Sequence, residues 1–252
     1  MLNTKIAPPT SCGCFLLALL VFAATALGSE PDSEPTASDV QLTELLDRVW
    51  DHELRASPLL ATNVGDPRGQ NRLADDSLSA IQQRAQQRRL FLRELKQIPV
   101  ESLNPGKRID HELLRRRLQG QLADFRFKTH LMPINNRGGF HISFPELPRV
   151  MNPRSEQDFA NYVARLKDFD RYVDEQILLL RGGIEAGLVQ PAIIMRDSLS
   201  QVQSHIVNDL SDSLFISNVA EEASDGLDAG MWKQIESDIK DAIQSNVIPA
   251  YQ

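Results

Sequence analysis

Apolar residues in this chain recur at three- and four-residue spacing, and nowhere do they alternate with polar ones over a useful length. The first pattern lays a stripe along one face of an α-helix, whereas alternation is what a half-buried strand needs. The spacing therefore predicts an all-α fold, a multi-helix array of about seven helices with no substantial sheet.

Val40, Leu42, Leu45, Leu46, Val49, Trp50 and Leu54 mark the first helix, with Ser38 and Gln41 as its capping box. Pro58 opens a short second helix and Gly65 closes it. Leu78, Ile81, Ala85, Leu92, Leu95 and Ile98 predict a third, from Ser77 to a stop at Pro99. On the fourth, Ile109, Leu113, Leu118, Leu122 and Phe125 face inward. Ser155 and Asp158 start the fifth, whose stripe from Phe159 through Leu180 ends at Gly182 and Gly183. Pro191 begins a sixth through Met195, Leu199, Val202, Ile206 and Leu210, and the last runs from about Met231 to Pro249.

Two connections are long, and loops beyond about 12 to 15 residues are usually functional or disordered. Residues 131–153 contain Phe140, Ile142, Phe144 and Val150, which favour burial, so this segment is expected as an ordered strap over the helices, with "HISF" as a short extended piece. The acidic "EEASDGLDAG" before the last helix has the composition of a mobile surface loop, and "GDPRGQNRLADD" that of a turn-rich connection.

The N-terminus differs from the rest. Lys5, the apolar run Phe15 to Ala26 and the small residues that follow have the layout of a secretory signal peptide, and the run is short of the roughly 20 residues that cross a bilayer. The expected organisation is a signal peptide over 1–28, a flexible leader over 29–37 and one helical domain over 38–252. Export to the periplasm or extracellular space follows, with no membrane association after cleavage. Cys12 and Cys14 both lie in the expected signal peptide, so packing without disulfides must hold the mature chain. Losing Met1 to Gly28 removes one lysine and no acid, taking the formal charge from -7 to -8, which argues against a nucleic-acid partner.

"DHEL" occurs twice, at Asp51–Leu54 and Asp110–Leu113. A His-Glu-x-x-His zinc helix needs a second histidine at 56 or 115, and those positions hold Ala56 and Arg115. His52, Glu53, His111 and Glu112 are instead expected on solvated helix faces, paired with arginines at helical spacing. A site assembled in space from His52, His111, His130, His141 and His205 stays open. No Gly-x-Ser-x-Gly elbow occurs, Arg108 stands where a phosphate loop needs Ser or Thr, and the acidic loop lacks a calcium loop's final glutamate. No catalytic residue and no metal ligand are assigned. The strap tip is the remaining candidate for substrate binding: Asn135, Asn136, Arg137, Gly138 and Gly139 can offer amides and a guanidinium to a peptide or carboxylate, or simply make a turn.

The succession "IDHELLRRRL", "MPINNRGGFHISFPEL", "NPRSEQDFANYVARLKDFDRYVDEQI", "RGGIEAGLVQPAIIM" and "IPAYQ" resembles the bacterial domain-of-unknown-function 885 family, from about residue 40 onward. That family usually has Gln where this chain has Asn135 or Asn136. The resemblance implies an exported helical protein similar to zinc metallopeptidases, whose members carry a His-Glu-x-x-Pro-Gly-His-His stretch well after the "PAY" element. Here the sequence stops at Gln252, before such a stretch. The expectation is an N-terminal, non-catalytic half that is inactive alone and has no cofactor of its own, zinc belonging to a C-terminal half. Its partner would be a separately encoded C-terminal half or a second copy of itself. The alternative is a free-standing periplasmic helical binding protein.

Overall fold

The computed structural model describes residues 34–223 and 229–252, so the expected signal peptide and most of the leader lie outside the described residues. Among those described, every regular element is helical, and the one β contact is an isolated bridge between Asn135 and Gly138. The described residues form thirteen α-helical segments where about seven helices were expected, because several stripes are broken into single-turn pieces. Residues Pro35–Gln252 form one compact unit.

The first core is a three-helix arrangement of α1 (Ala37–Ala56), α3 (Leu78–Leu95) and α4 (Pro105–Arg126), with α2 (Pro58–Asn63) between the first two in sequence. Thr36 and Asp39 cap α1 reciprocally, two residues before the predicted pair, and Asp39 also accepts from the Asn104 amide at the start of α4. Leu42, Leu45, Val49, Phe91, Leu95, Leu114 and Leu118 fill the interior. On α4 the inward face carries His111, Leu114 and Leu118, while Ile109 and Leu113 are 62% and 60% exposed. The inward stripe is thus rotated from the one predicted.

The second core is built by the strap and the C-terminal helices. The strap contains α5 (Phe140–Ser143) and α6 (Leu147–Met151), so "HISF" is a helical turn and not an extended piece. Phe140 and Phe144 are buried as expected, whereas Ile142 is only partly buried and Val150 is 39% exposed; Leu147 is buried in its place, and the Phe144 and Phe169 rings stack with centroids 4.0 Å apart. The fifth predicted helix is two, α7 (Glu156–Lys167) and α8 (Phe169–Glu185), divided at Asp168. Its carboxylate accepts from the Leu73 amide and from Arg171, which ties the break to the 64–77 connection. Gly182 and Gly183 do not end α8. They let the turn Thr129–Leu131 approach it, and a Cβ on Gly183 would collide with the Leu131 and Leu188 carbonyl oxygens.

Beyond α8 the predicted sixth helix is fragmented into α9 (Ala192–Met195), α10 (Ser198–Gln203) and a 3-10 turn over Leu210–Asp212. The sequence reading missed α11 (Leu214–Ala223), which buries Phe215, Ile216 and Val219 and takes up the first residues of the expected acidic loop. Residues 224–228 of that loop lie outside the described residues. The last element is α12 (Ala229–Ala242), a π-helical turn Ile243–Val247 and α13 (Ile248–Tyr251).

A buried arginine fastens the 58–73 segment to α7. Arg165 has no solvent exposure and no carboxylate partner; its guanidinium donates to the carbonyl oxygens of Gly69 and Arg72 and to Thr62 Oγ1 at 2.7–3.2 Å. Burial, and then the nearby Arg72 charge, lower its pKa to about 10.

Candidate functional site

α5, α10 and α13 bring together a group of buried polar side chains that no sequence motif announced. His141 follows Gly139, whose φ of +130° few side chains adopt, and a Cβ at Gly139 would meet the His141 ring at 2.9 Å. The His141 ring is almost wholly buried, and its Nε2–H donates to Gln201 Oε1 on α10 at 3.2 Å. His205, just past α10, donates Nε2–H to the His141 carbonyl oxygen at 2.8 Å. The His205 ring lies on the Tyr251 ring, centroids 4.8 Å apart, and Tyr251 also packs against Phe140 and Phe169.

Three atoms on these elements are buried without a hydrogen-bond partner: His141 Nδ1 on α5, Ser198 Oγ on α10 and Tyr251 Oη on α13. Each such atom costs about 1–3 kcal/mol unless something satisfies it. Burial lowers the pKa of His141, opposed by the Gln201 hydrogen bond and assisted by His205, and burial likewise lowers that of His205. Both imidazoles are therefore neutral at pH 7, and the unpartnered lone pair is that of His141 Nδ1. Burial pushes the Tyr251 phenol well above its ordinary range, so it stays protonated. The group can accept at one imidazole and donate or accept at two hydroxyls.

The strap-tip residues adjoin this group through Gly139. Asn135 Oδ1 accepts from the Arg137 amide at 2.8 Å, and Asn135 and Gly138 exchange backbone hydrogen bonds, so the tip closes on itself. Asn136 and Arg137 are exposed at its apex, while Asn135, Gly138 and Gly139 are partly buried.

Of the five histidines, the fold brings His141 and His205 together and keeps the others apart. His52 lies edge-on to Phe91, His111 contacts the Leu95 carbonyl oxygen through Nε2 at 3.1 Å, and His130 stacks on Phe125. The two "DHEL" copies differ from the solvated faces expected. Glu112 does pair with Arg115 and Arg116 one turn on, but His111 is buried, and Glu53 is buried between helices against Arg88 and Arg117. A zinc ion does not fit the described residues: no three His, Cys, Asp or Glu side chains are placed to hold one. Ser198, Gln201 and Tyr251 were missed, although Tyr251 sits in the "PAY" segment that carried part of the family resemblance.

A family model described as a bacterial protein of unknown function (DUF885) matches residues 58–252. The chain belongs to DUF885. No curated protein matches it. The DUF885 match takes in the whole polar group, from Gly139 to Tyr251, and leaves α1 outside. No described helix is long and apolar enough to cross a membrane.

Proposed function

We propose that this DUF885 protein is an exported helical scaffold that forms one wall of a metallopeptidase-like substrate cleft without supplying the catalytic centre. The observation that carries this is a single stretch of the chain, residues 184–199. Ile184, Val189, Ile193 and Leu199 are 60–68% exposed, and they lead directly into Ser198 and Gln201 of the polar group. Apolar residues concentrated on one segment mark a surface that a second segment covers. The family resemblance supplies the chemistry of that segment, a His-Glu-x-x-Pro-Gly-His-His stretch, and zinc enters only with it. The strap tip, with Arg137 exposed at its apex, borders the same region through Gly139 and is the place for a substrate carboxylate.

Sedimentation velocity on purified protein tests this. The wild-type chain is expected to self-associate as concentration rises, and Ile193→Asp with Leu199→Asp to hold it monomeric at unchanged helicity. A wild-type chain that stays monomeric and melts as cooperatively as the double variant would argue instead for a free-standing binding protein.

A further inference from the structure

A second surface, unconnected with the polar group, lies between α1 and α4. Because α3 packs on one side of this pair, the opposite side keeps a groove of about 400 Å³ whose floor and walls include Leu46, Val49 and Trp50 from α1 and Leu113 and Leu114 from α4. Trp50 is 43% exposed, and Ile109 continues the Leu113 face one turn earlier. Single exposed leucines are ordinary, but a half-exposed tryptophan facing a line of branched residues across a groove is the composition of a binding hot spot. We infer that this groove docks an amphipathic helix with a basic flank, contributed by another protein.

The length sets the form of the occupant. Leu46 to Glu53 covers two helical turns, about 10 Å at 1.5 Å per residue, which matches the i, i+3, i+4, i+7 face of a short helix laid in a groove. Charge selects its flank. Each wall contributes an acid, Asp47 from α1 and Asp110 from α4. Glu53 is already balanced by Arg88 and by Arg117, which also lines the groove, and Asp110 has Lys107 at 3.5 Å, whereas Asp47 has no ion pair among the described residues. A second copy of this acidic chain placed symmetrically would set Asp47 and Asp110 against themselves, which costs affinity; lysines or arginines beside an apolar stripe would complement them. The α1 wall lies outside the residues that the DUF885 model matches, and the groove shares no lining residue with the cleft proposed above.

The test uses the purified protein and two synthetic helical peptides lacking tryptophan. Both carry leucines at i, i+3, i+4 and i+7; one has lysines on the flanks and its twin has glutamates. Calorimetry should show the lysine peptide binding and the glutamate twin not. Tryptophan emission should shift to the blue on binding, and Trp50→Phe should remove that shift. Leu113→Glu should weaken binding by roughly 30-fold or more, the size of a hot-spot loss. Asp47→Asn with Asp110→Asn should weaken it several-fold at low salt and flatten the salt dependence. These side chains face solvent, and an unchanged melt confirms that the fold is kept. Equal binding of the twin, unchanged binding by Leu113→Glu, or binding of neither peptide would overturn the inference. So would concentration-dependent dimerisation abolished by Leu113→Glu, because the occupant would then be a second copy.

Discussion

Arg165 shows how one residue organises a distant stretch of chain. A guanidinium with no solvent contact and no carboxylate is held by the carbonyl oxygens of Gly69 and Arg72 and by Thr62, about a hundred positions away in sequence. Arg165→Met is expected to cost about 1–3 kcal/mol, because three part-buried acceptors lose their donor at once. Arg165→Lys should recover little, since a single ammonium cannot reach the same spread of acceptors. Urea unfolding of both variants measures this. The buried histidines make a different residue-scale prediction. Folding holds His141 and His205 below their ordinary value of 6.5, so the unfolded chain binds protons more readily. Stability is then full above about pH 6.5 and falls as the pH drops below it, levelling off once the folded-state values are passed. Asp66 and Glu112, both lowered to about 2 by arginine hydrogen bonds, give way only in stronger acid. Replacing both histidines by asparagine should reduce the slope of the stability curve over pH 5–7, the remainder coming from His52 and His130, which burial also holds below their ordinary value. A slope left unchanged in the double variant would place the titration elsewhere.

At the scale of elements, two helical glycines separate backbone propensity from packing. Gly120 on α4 faces open space, so Gly120→Ala should stabilise the protein by about 0.5–1 kcal/mol. Gly183 on α8 is the opposite case, because a Cβ there would lie 2.8 Å from the Leu188 carbonyl oxygen and closer still to that of Leu131. Gly183→Ala should lower the melting temperature while Gly120→Ala raises it. The same contrast explains what could be read ahead of the structure. Periodicity alone placed α1, α3, α4 and α12, because each buries one face along its length. It misplaced the α4 stripe because 109/113 and 114/118 are both four-residue pairs, and only the position of α1 and α3 decides which turns inward. It ended α8 at Gly182 because a glycine that admits a neighbouring turn looks, in sequence, like one that ends a helix. The 190–212 region failed for a related reason: Ile193 and Leu199 fit a helical stripe but are exposed, so no face holds the turns in register.

Over the whole molecule, two apolar cores share one chain, and polar contacts join them. The 64–77 connection runs between them and is fixed by Arg165, by Asp168 to the Leu73 amide, by Glu175 to the Asp76 amide and by Arg171 to the Ala74 carbonyl oxygen. The all-helical architecture and the family were legible in the residue pattern. The polar group of His141, Ser198, Gln201, His205 and Tyr251 was not, because its members are spread over more than a hundred positions and meet only when the strap folds onto the last helices. That geometry joins two imidazoles, and among the described residues no third His, Cys, Asp or Glu side chain is placed with them to hold a metal ion. The most direct check is zinc content and peptide hydrolysis on the same desalted preparation, with and without chelator. Less than stoichiometric zinc and no chelator-sensitive hydrolysis are expected. One zinc per chain with hydrolysis that chelation abolishes would contradict a wall without a catalytic centre.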